Sequence, residues 1–349
     1  MWGREFVCAL GIHTINEDLE MKIGRREFLT YCTGSAAMLG LTSVMGPLTK
    51  ALAASSGPPI IWLKGAGCTG CTVSLANRIS SSAPVDLADL LIHTIDLVYH
   101  PTLMGAAGDL AVQTLQKAAS GQFILAVEGG IPTLYNGKTC TVYSQNGVDV
   151  TALAAVQQLA PKAMKVLSIG TCASFAGIAG ASPNPTLVKS VSAATGVKTI
   201  NIPGCPPHPD WIVWTIAQLL AGVTPTLDSS YRPTSLYGKT VHSQCSRRNE
   251  AWATSLSQTG LCMGNLGCKG RQTRADCPTR GWNNGDNWCV GTVSSTGNGA
   301  DSLCQGCTES GFPDKFAPLF STNGAIPSGH DRVAIKPSCN TCHSSGRPD

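Results

Sequence analysis

The sequence predicts an α/β protein in which a doubly wound parallel sheet is followed by an irregular, cysteine-rich domain. Three observations lead there. Short β-branched runs alternate with helical stretches from Pro59 to about Val223, the pattern of a parallel sheet covered by helices on both faces. From about Thr224 onward the alternation stops, and Gly, Asn, Ser, Thr and Cys dominate. The chain also holds 16 cysteines in 349 residues, far more than packing alone would use.

Taken in order, strands are expected over residues 59–63, 92–98, 123–127, 165–169 and 198–202, and helices over 73–81, 106–119, 150–159 and 211–221. The second half shows no long amphipathic helix, so it cannot bury enough apolar surface alone and needs staples. Hydrophobic residues at 43% and charged residues at 13% argue against a disordered chain. A net charge of +4, spread without any Lys/Arg run, gives no footprint for nucleic acid.

Residues 1–53 read as a twin-arginine export signal. Arg25-Arg26 precedes Phe28-Leu29, a weakly apolar stretch runs from Ala36 to Leu52, and Ala51-Leu52-Ala53 offers a small-x-small cleavage pattern. Met21 is an alternative translation start. Beyond Ala54 no apolar run approaches the roughly 20 residues of a membrane span, so no transmembrane helix is expected and any membrane attachment would come through a partner. Export in the folded state favours cofactor ligation over disulfides for the cysteines, with a periplasmic or other extracytoplasmic destination.

Four cysteines are expected at the carboxyl ends of strands, where open α/β sheets bind ligands. Cys68 and Cys71 follow the first strand, Cys172 the strand ending at Ile169, and Cys205 the strand ending at Ile202. Four thiolates meeting there suit a [4Fe–4S] cluster. A thioredoxin-like redox pair and a structural zinc remain alternatives. Gly65, Gly67 and Gly70 are expected to let the backbone approach the cluster and donate to its sulfurs. Further on come His242, Cys245, Cys262, Cys268, Cys277, Cys289, Cys304 and Cys307. Seven cysteines cannot all pair as disulfides, whereas two metal sets of four use every one if His242 joins.

The runs Cys-Thr-Gly-Cys-Thr-Val-Ser-Leu, Ala-Val-Glu-Gly-Gly-Ile-Pro at 126–132, Gly-Thr-Cys-Ala and Pro-Gly-Cys-Pro-Pro resemble the small subunit of [NiFe] hydrogenases. His242-x-x-Cys245, Cys262-x5-Cys268, Cys277-Pro278 and Cys304-x-x-Cys307 continue that family's order, and the match spans about Pro59 to Phe316. The resemblance implies a flavodoxin-like domain over residues 54–223 and an iron–sulfur domain over 224–320, with 321–349 as a tail. It assigns Cys68, Cys71, Cys172 and Cys205 to a proximal [4Fe–4S] cluster. His242, Cys245, Cys262 and Cys268 would hold a distal [4Fe–4S] cluster, and Cys277, Cys304 and Cys307 a medial one. Many family members have proline at the fourth medial position and hold [3Fe–4S]; here Cys289 stands there, implying [4Fe–4S].

By the same resemblance, the nickel–iron site that splits H2 would lie in a large partner subunit. Electrons would pass along the three clusters to an acceptor such as a cytochrome or a membrane quinone-linked subunit. The alternative is an iron–sulfur electron-transfer subunit of a non-hydrogenase redox complex, and a third reading is a disulfide-stapled exported binding protein. No catalytic triad, phosphate loop or carboxylate pair is present, so the chain itself is expected to make or break no covalent bond. At the tail, Cys339-Asn-Thr-Cys342-His343 fits the attachment signature of haem c; a disulfide or a small metal site fits those residues as well. Cys140 is expected to be a small core residue, His208 structural, and Arg247, Arg248, Lys269, Arg271 and Arg274 a basic zone beside the distal ligands. Glu128 is read either as a partner of the cluster environment or as a solvated side chain.

Overall fold

The computed structural model describes residues 57–256, 258, 260–280 and 302–320. Five strands form one parallel sheet: β1 (Ile60–Lys64), β2 (Leu97–Tyr99), β3 (Ile124–Glu128), β7 (Lys165–Ile169) and β9 (Ile200–Ile202), in the order β2-β1-β3-β7-β9. This is the flavodoxin-like order, with its topological switch between β1 and β3. The strands are apolar on both faces because both are covered. Ile60, Trp62, Ile124, Ala126, Leu167 and Ile169 pack one way, against Trp211, Ile212 and Ile216. Ile61, Leu63, Leu125, Val127 and Val166 pack the other way, against Leu115, Val156 and Leu159.

The covering helices are α1 (Gly70–Ala76), α2 (Leu87–His93), α3 (Gly108–Ala119), α4 (Ala152–Leu159), α5 (Gly170–Phe175), α6 (Val191–Thr195) and α7 (Pro209–Leu220). Several start where local chemistry satisfies the first amides. Asp86 accepts from Asp89 N at 2.9 Å, Thr151 from Ala154 N at 3.1 Å, and Ser190 from Ala193 N at 3.2 Å. His208 Nδ1 accepts from Asp210 N at 3.0 Å, with Pro209 leading the helix, so this histidine is structural.

One expectation needs correcting, and one element was not foreseen. Residues 92–98 are not one strand: Ile92 and His93 end α2, and only Leu97–Tyr99 pairs with the sheet. A β-hairpin also precedes α4, formed by β5 (Thr141–Gln145) and β6 (Val148–Thr151). Its turn, Asn146-Gly147, has positive φ at both residues, as a tight hairpin turn demands. A further small antiparallel pair joins β4 (Ile131–Pro132) to β8 (Val188–Lys189).

After α7 the described helices are single turns: α8 (Thr234–Tyr237), α9 (Val241–Gln244) and α10 (Cys277–Arg280). Leu236, Tyr237, Val241, Ala275 and Cys304 pack into the first sheet core. A satellite cluster of Ala253, Met263, Leu266 and Leu303 lies among the remaining loops. Cys140 is half-buried against the second sheet core, in agreement with its core reading.

Candidate functional site

The proximal cysteines follow from the sheet's topology. Cys68 and Cys71 lie just after β1, Cys172 in α5 after β7, and Cys205 after β9. Burial first, then the charges of Glu128, Cys172, Cys205 and Cys68, pushes the Cys71 thiol well above its usual range. Burial followed by Cys172 and Cys68 pushes Cys205 up to about 11. The thiols of Cys71, Cys172 and Cys205 are all raised, by burial foremost, and the charge of Cys68 adds to each, so the four sulfurs lie in one region. As thiolates they need a cation or a positively charged core among them.

Glu128 sets the geometry of the first pair. The residue before α1, Thr69, has φ +69° and makes no side-chain cap. The buried Glu128 carboxylate at the end of β3 takes over that role, accepting from Cys71 N at 3.1 Å and Thr72 N at 3.2 Å through Oε1. Its Oε2 accepts from Trp62 Nε1 at 3.3 Å and from the Thr72 hydroxyl. Behind it, His100 Nδ1 accepts from the amides of Thr102 and Leu103 at 3.1 and 3.2 Å, so the ring proton sits on Nε2, facing Thr72 Oγ1 at 3.3 Å. The solvated reading of Glu128 is therefore wrong. Neither sequence spacing nor local pattern announces this contact, because the two residues meet only when β1 and β3 pair.

The glycines divide into two roles. Gly70 N donates to Cys68 Sγ at 3.4 Å, and a Cβ on Gly70 would stand 3.0 Å from that sulfur. A Cβ on Gly170 would stand 2.4 Å from Cys71 Sγ, and Gly170 has φ +83°. Gly65 and Gly67 serve differently from expectation. Their Cβ positions meet Gly130 O at 2.4 Å and Gly129 Cα at 3.2 Å, so they make room for the β3 loop.

In the second half, His242 lies in α9 and Cys245 directly follows it. The Cys262 and Cys268 thiols are raised, by burial foremost, with Cys245 adding to both and Cys262 adding to Cys268. Those three sulfurs thus share one region. His242 N donates to Gly270 O at 2.9 Å, beside Cys268. Backbone amides of Gly264, Gly270 and Cys304 serve the sulfurs as hydrogen-bond donors, the usual surroundings of cluster thiolates. Cys304 is buried and adjoins both Cys268 and Cys307. Cys277 and Cys307 both raise the pKa of the fully enclosed Tyr237, after burial and Asp276.

Cys289, Cys339, Cys342 and His343 lie outside the described residues. The basic zone is only partly a surface: Arg247 is buried and donates to Ser302 O at 2.8 Å, while Arg248 and Arg274 bond the carbonyls of Ser243 and Gly238. No disulfide joins any two described cysteines. Among the described residues no three His, Cys, Asp or Glu side chains close on a point for one metal ion. A lone zinc draws its ligands to one point, whereas an iron–sulfur core spreads them over its corners. Four thiols gathered from three strand ends are the donor set of the larger group, and Gly70 and Gly170 make room for the Cys68 and Cys71 sulfurs.

Comparison with known proteins agrees with this architecture. Residues 68–219 match the family model of the NADH ubiquinone oxidoreductase 20 kDa subunit, and residues 237–320 match the C-terminal family model of the NiFe/NiFeSe hydrogenase small subunit. The chain is 35% identical to the periplasmic [NiFeSe] hydrogenase small subunit of Desulfomicrobium baculatum, over 86% of this chain and 99% of that one. It is 34% identical to the quinone-reactive Ni/Fe-hydrogenase small chain of Wolinella succinogenes, over 86% of this chain and 84% of that one. A solved [NiFeSe] hydrogenase structure from Desulfovibrio vulgaris Hildenborough superposes with a TM-score of 0.69 at 36% identity, covering 77% of this chain and 99% of that one. The second family match and the full-length relatives disfavour a non-hydrogenase complex. The chain belongs to the small subunits of [NiFe] hydrogenases, the iron–sulfur electron-relay partners of a large subunit in which H2 is split.

Proposed function

We propose that the relay comprises three clusters held by three residue sets. Cys68, Cys71, Cys172 and Cys205 bind the proximal [4Fe–4S] cluster, nearest the large subunit. Cys277, Cys289, Cys304 and Cys307 bind a medial [4Fe–4S] cluster, which reverts to [3Fe–4S] without Cys289. His242, Cys245, Cys262 and Cys268 bind the distal [4Fe–4S] cluster. A bound cluster supplies one-electron storage. The chain's residues provide thiolates, amide donors and a buried path between the sets. The observation that carries this reading is the buried Cys304, whose thiol feels the charges of both Cys268 and Cys307 and whose carbonyl accepts from Lys269 N, next to Cys268, at 2.7 Å. The relay needs no haem at Cys339–His343.

The domain limits at 223/224 and 320/321 follow the sequence pattern. Periplasmic relatives and the Arg25-Arg26 pair support export by the twin-arginine route. The quinone-reactive relative supports a membrane quinone-linked acceptor, to which membrane attachment would be owed; no helix among the described residues is long and apolar enough to cross a bilayer. The test is His242→Ala in the complex with its large subunit. Acceptor reduction with H2 should fall while H/D exchange, a property of the large-subunit site, persists. Equal loss of both contradicts the exit role of His242.

A further inference from the structure

We infer that Thr171 is a positioning residue of the relay, its hydroxyl clasping the proximal and medial ligand segments together and providing a direct bonded contact between them. The inference rests on the ligand assignment above. Thr171 immediately precedes Cys172 and is only 1% exposed. Its Oγ1 donates to the carbonyl oxygen of Cys307 and accepts from Gly204 N at 2.9 Å. Its own amide donates to Gly204 O at 3.0 Å, and Gly204 immediately precedes Cys205. One hydroxyl thus joins the backbones that carry Cys172, Cys205 and Cys307.

The hydroxyl is bonded on both its donor and its acceptor side. It accepts from Gly204 N and donates to Cys307 O, so its single donor and one of its two acceptor sites are in use. Gly204 has φ +154°, and a Cβ there would stand 2.4 Å from Pro207 Cα, so this turn is held from both sides. The same device recurs at the next step: Lys269 N donates to Cys304 O at 2.7 Å, and Cys304 N serves the Cys268 sulfur. From Cys172 to Cys268 the ligand segments are therefore linked by hydrogen bonds between protein atoms. Electrons supplied by H2 oxidation in the large subunit leave to the acceptor, so these contacts carry charge and break no bond.

The test uses the whole complex, purified anaerobically, as wild type, Thr171→Val and Thr171→Ser. Valine keeps the shape without the hydroxyl; serine keeps the hydroxyl. Four readouts are compared: iron per complex, H/D exchange, viologen reduction by H2, and the magnetic interaction between reduced proximal and medial clusters in frozen samples. Thr171→Val should keep iron and exchange, weaken the magnetic interaction and slow viologen reduction several-fold, and Thr171→Ser should restore both. Wild-type interaction and viologen rate in an iron-replete Thr171→Val complex would overturn the inference. Should Thr171→Val fail to assemble, Thr171→Ser decides: a weakened interaction at full iron would overturn it, and a wild-type one supports it. Failure of the ligand assignment shows separately, as a Cys307→Ala complex that retains all its iron.

Discussion

The indole N–H of Trp211 donates to Asp276 Oδ1 at 2.7 Å, tying the helix that covers the sheet to the residue just before Cys277. Asp276 also accepts from Arg280 Nη2 at 2.6 Å, and Arg280 reaches Asp210, which pairs at 2.9 Å with Arg78, two residues beyond α1. Arg78, Asp276 and Arg280 are all at least 90% buried. This network holds the segment that carries Cys277, proposed as a medial ligand, against the sheet and its covering helices.

Asp276→Ala should therefore destabilise strongly, because it leaves Arg280 buried without its nearest countercharge. A loss of about 3–5 kcal/mol is typical for breaking a buried pair. Thermal unfolding of the complex measures it, and iron analysis should show loss from the medial set first. A surface-like effect of a few tenths of a kcal/mol would contradict the buried arrangement.

Glu128→Gln keeps the shape of the cap and removes a negative charge beside Cys71. A reduced cluster carries more negative charge than an oxidised one, so losing the carboxylate should raise the proximal reduction potential. A redox titration followed by electron paramagnetic resonance reads the shift. An unchanged or lowered potential would mean that Glu128 acts only through its hydrogen bonds.

Gly170→Ala puts a methyl group 2.4 Å from Cys71 Sγ at a φ of +83°. The backbone alone costs roughly 1–2 kcal/mol, and the clash falls on a thiol proposed as a ligand. The complex should lose the proximal set, about four irons, while the other two sets fill. Full iron loading of this variant would place the cluster elsewhere.

Much of this was legible in the sequence because the physics is local. The run from Lys165 to Ile169 reads as a strand and is one, since both its faces are covered by apolar neighbours. The four proximal cysteines follow strand ends, where the topology must bring them together. Ile92 misled because a short apolar run fits a strand or a helix end equally; the Asp86 cap and Asp89 three residues on were the better signal. Asn146-Gly147 was a hairpin signal within reach of pattern reading. The Glu128 cap and the Thr171 clasp were not, because each depends on segments far apart in sequence meeting across the sheet.

A pH dependence follows from His100. Burial, and next the nearby Lys64 charge, pushes its imidazole down to about 4 from an ordinary 6.5. With the folded value below the unfolded one, the contribution is complete above pH 6.5 and is lost as the pH falls through about 4. The full loss is on the order of 3 kcal/mol. His100→Asn, which retains an acceptor for the Thr102 and Leu103 amides, should flatten the fall in unfolding temperature between pH 7 and pH 5. An equal fall in wild type and variant would assign the effect to other groups.

The most direct test of the relay is the metal content of the complex that copurifies anaerobically with this chain. Three four-iron clusters and one nickel–iron site predict about one nickel and roughly thirteen irons per pair of small and large subunits. About one nickel with only five irons would leave the cysteine-rich half without clusters and contradict the three-cluster relay.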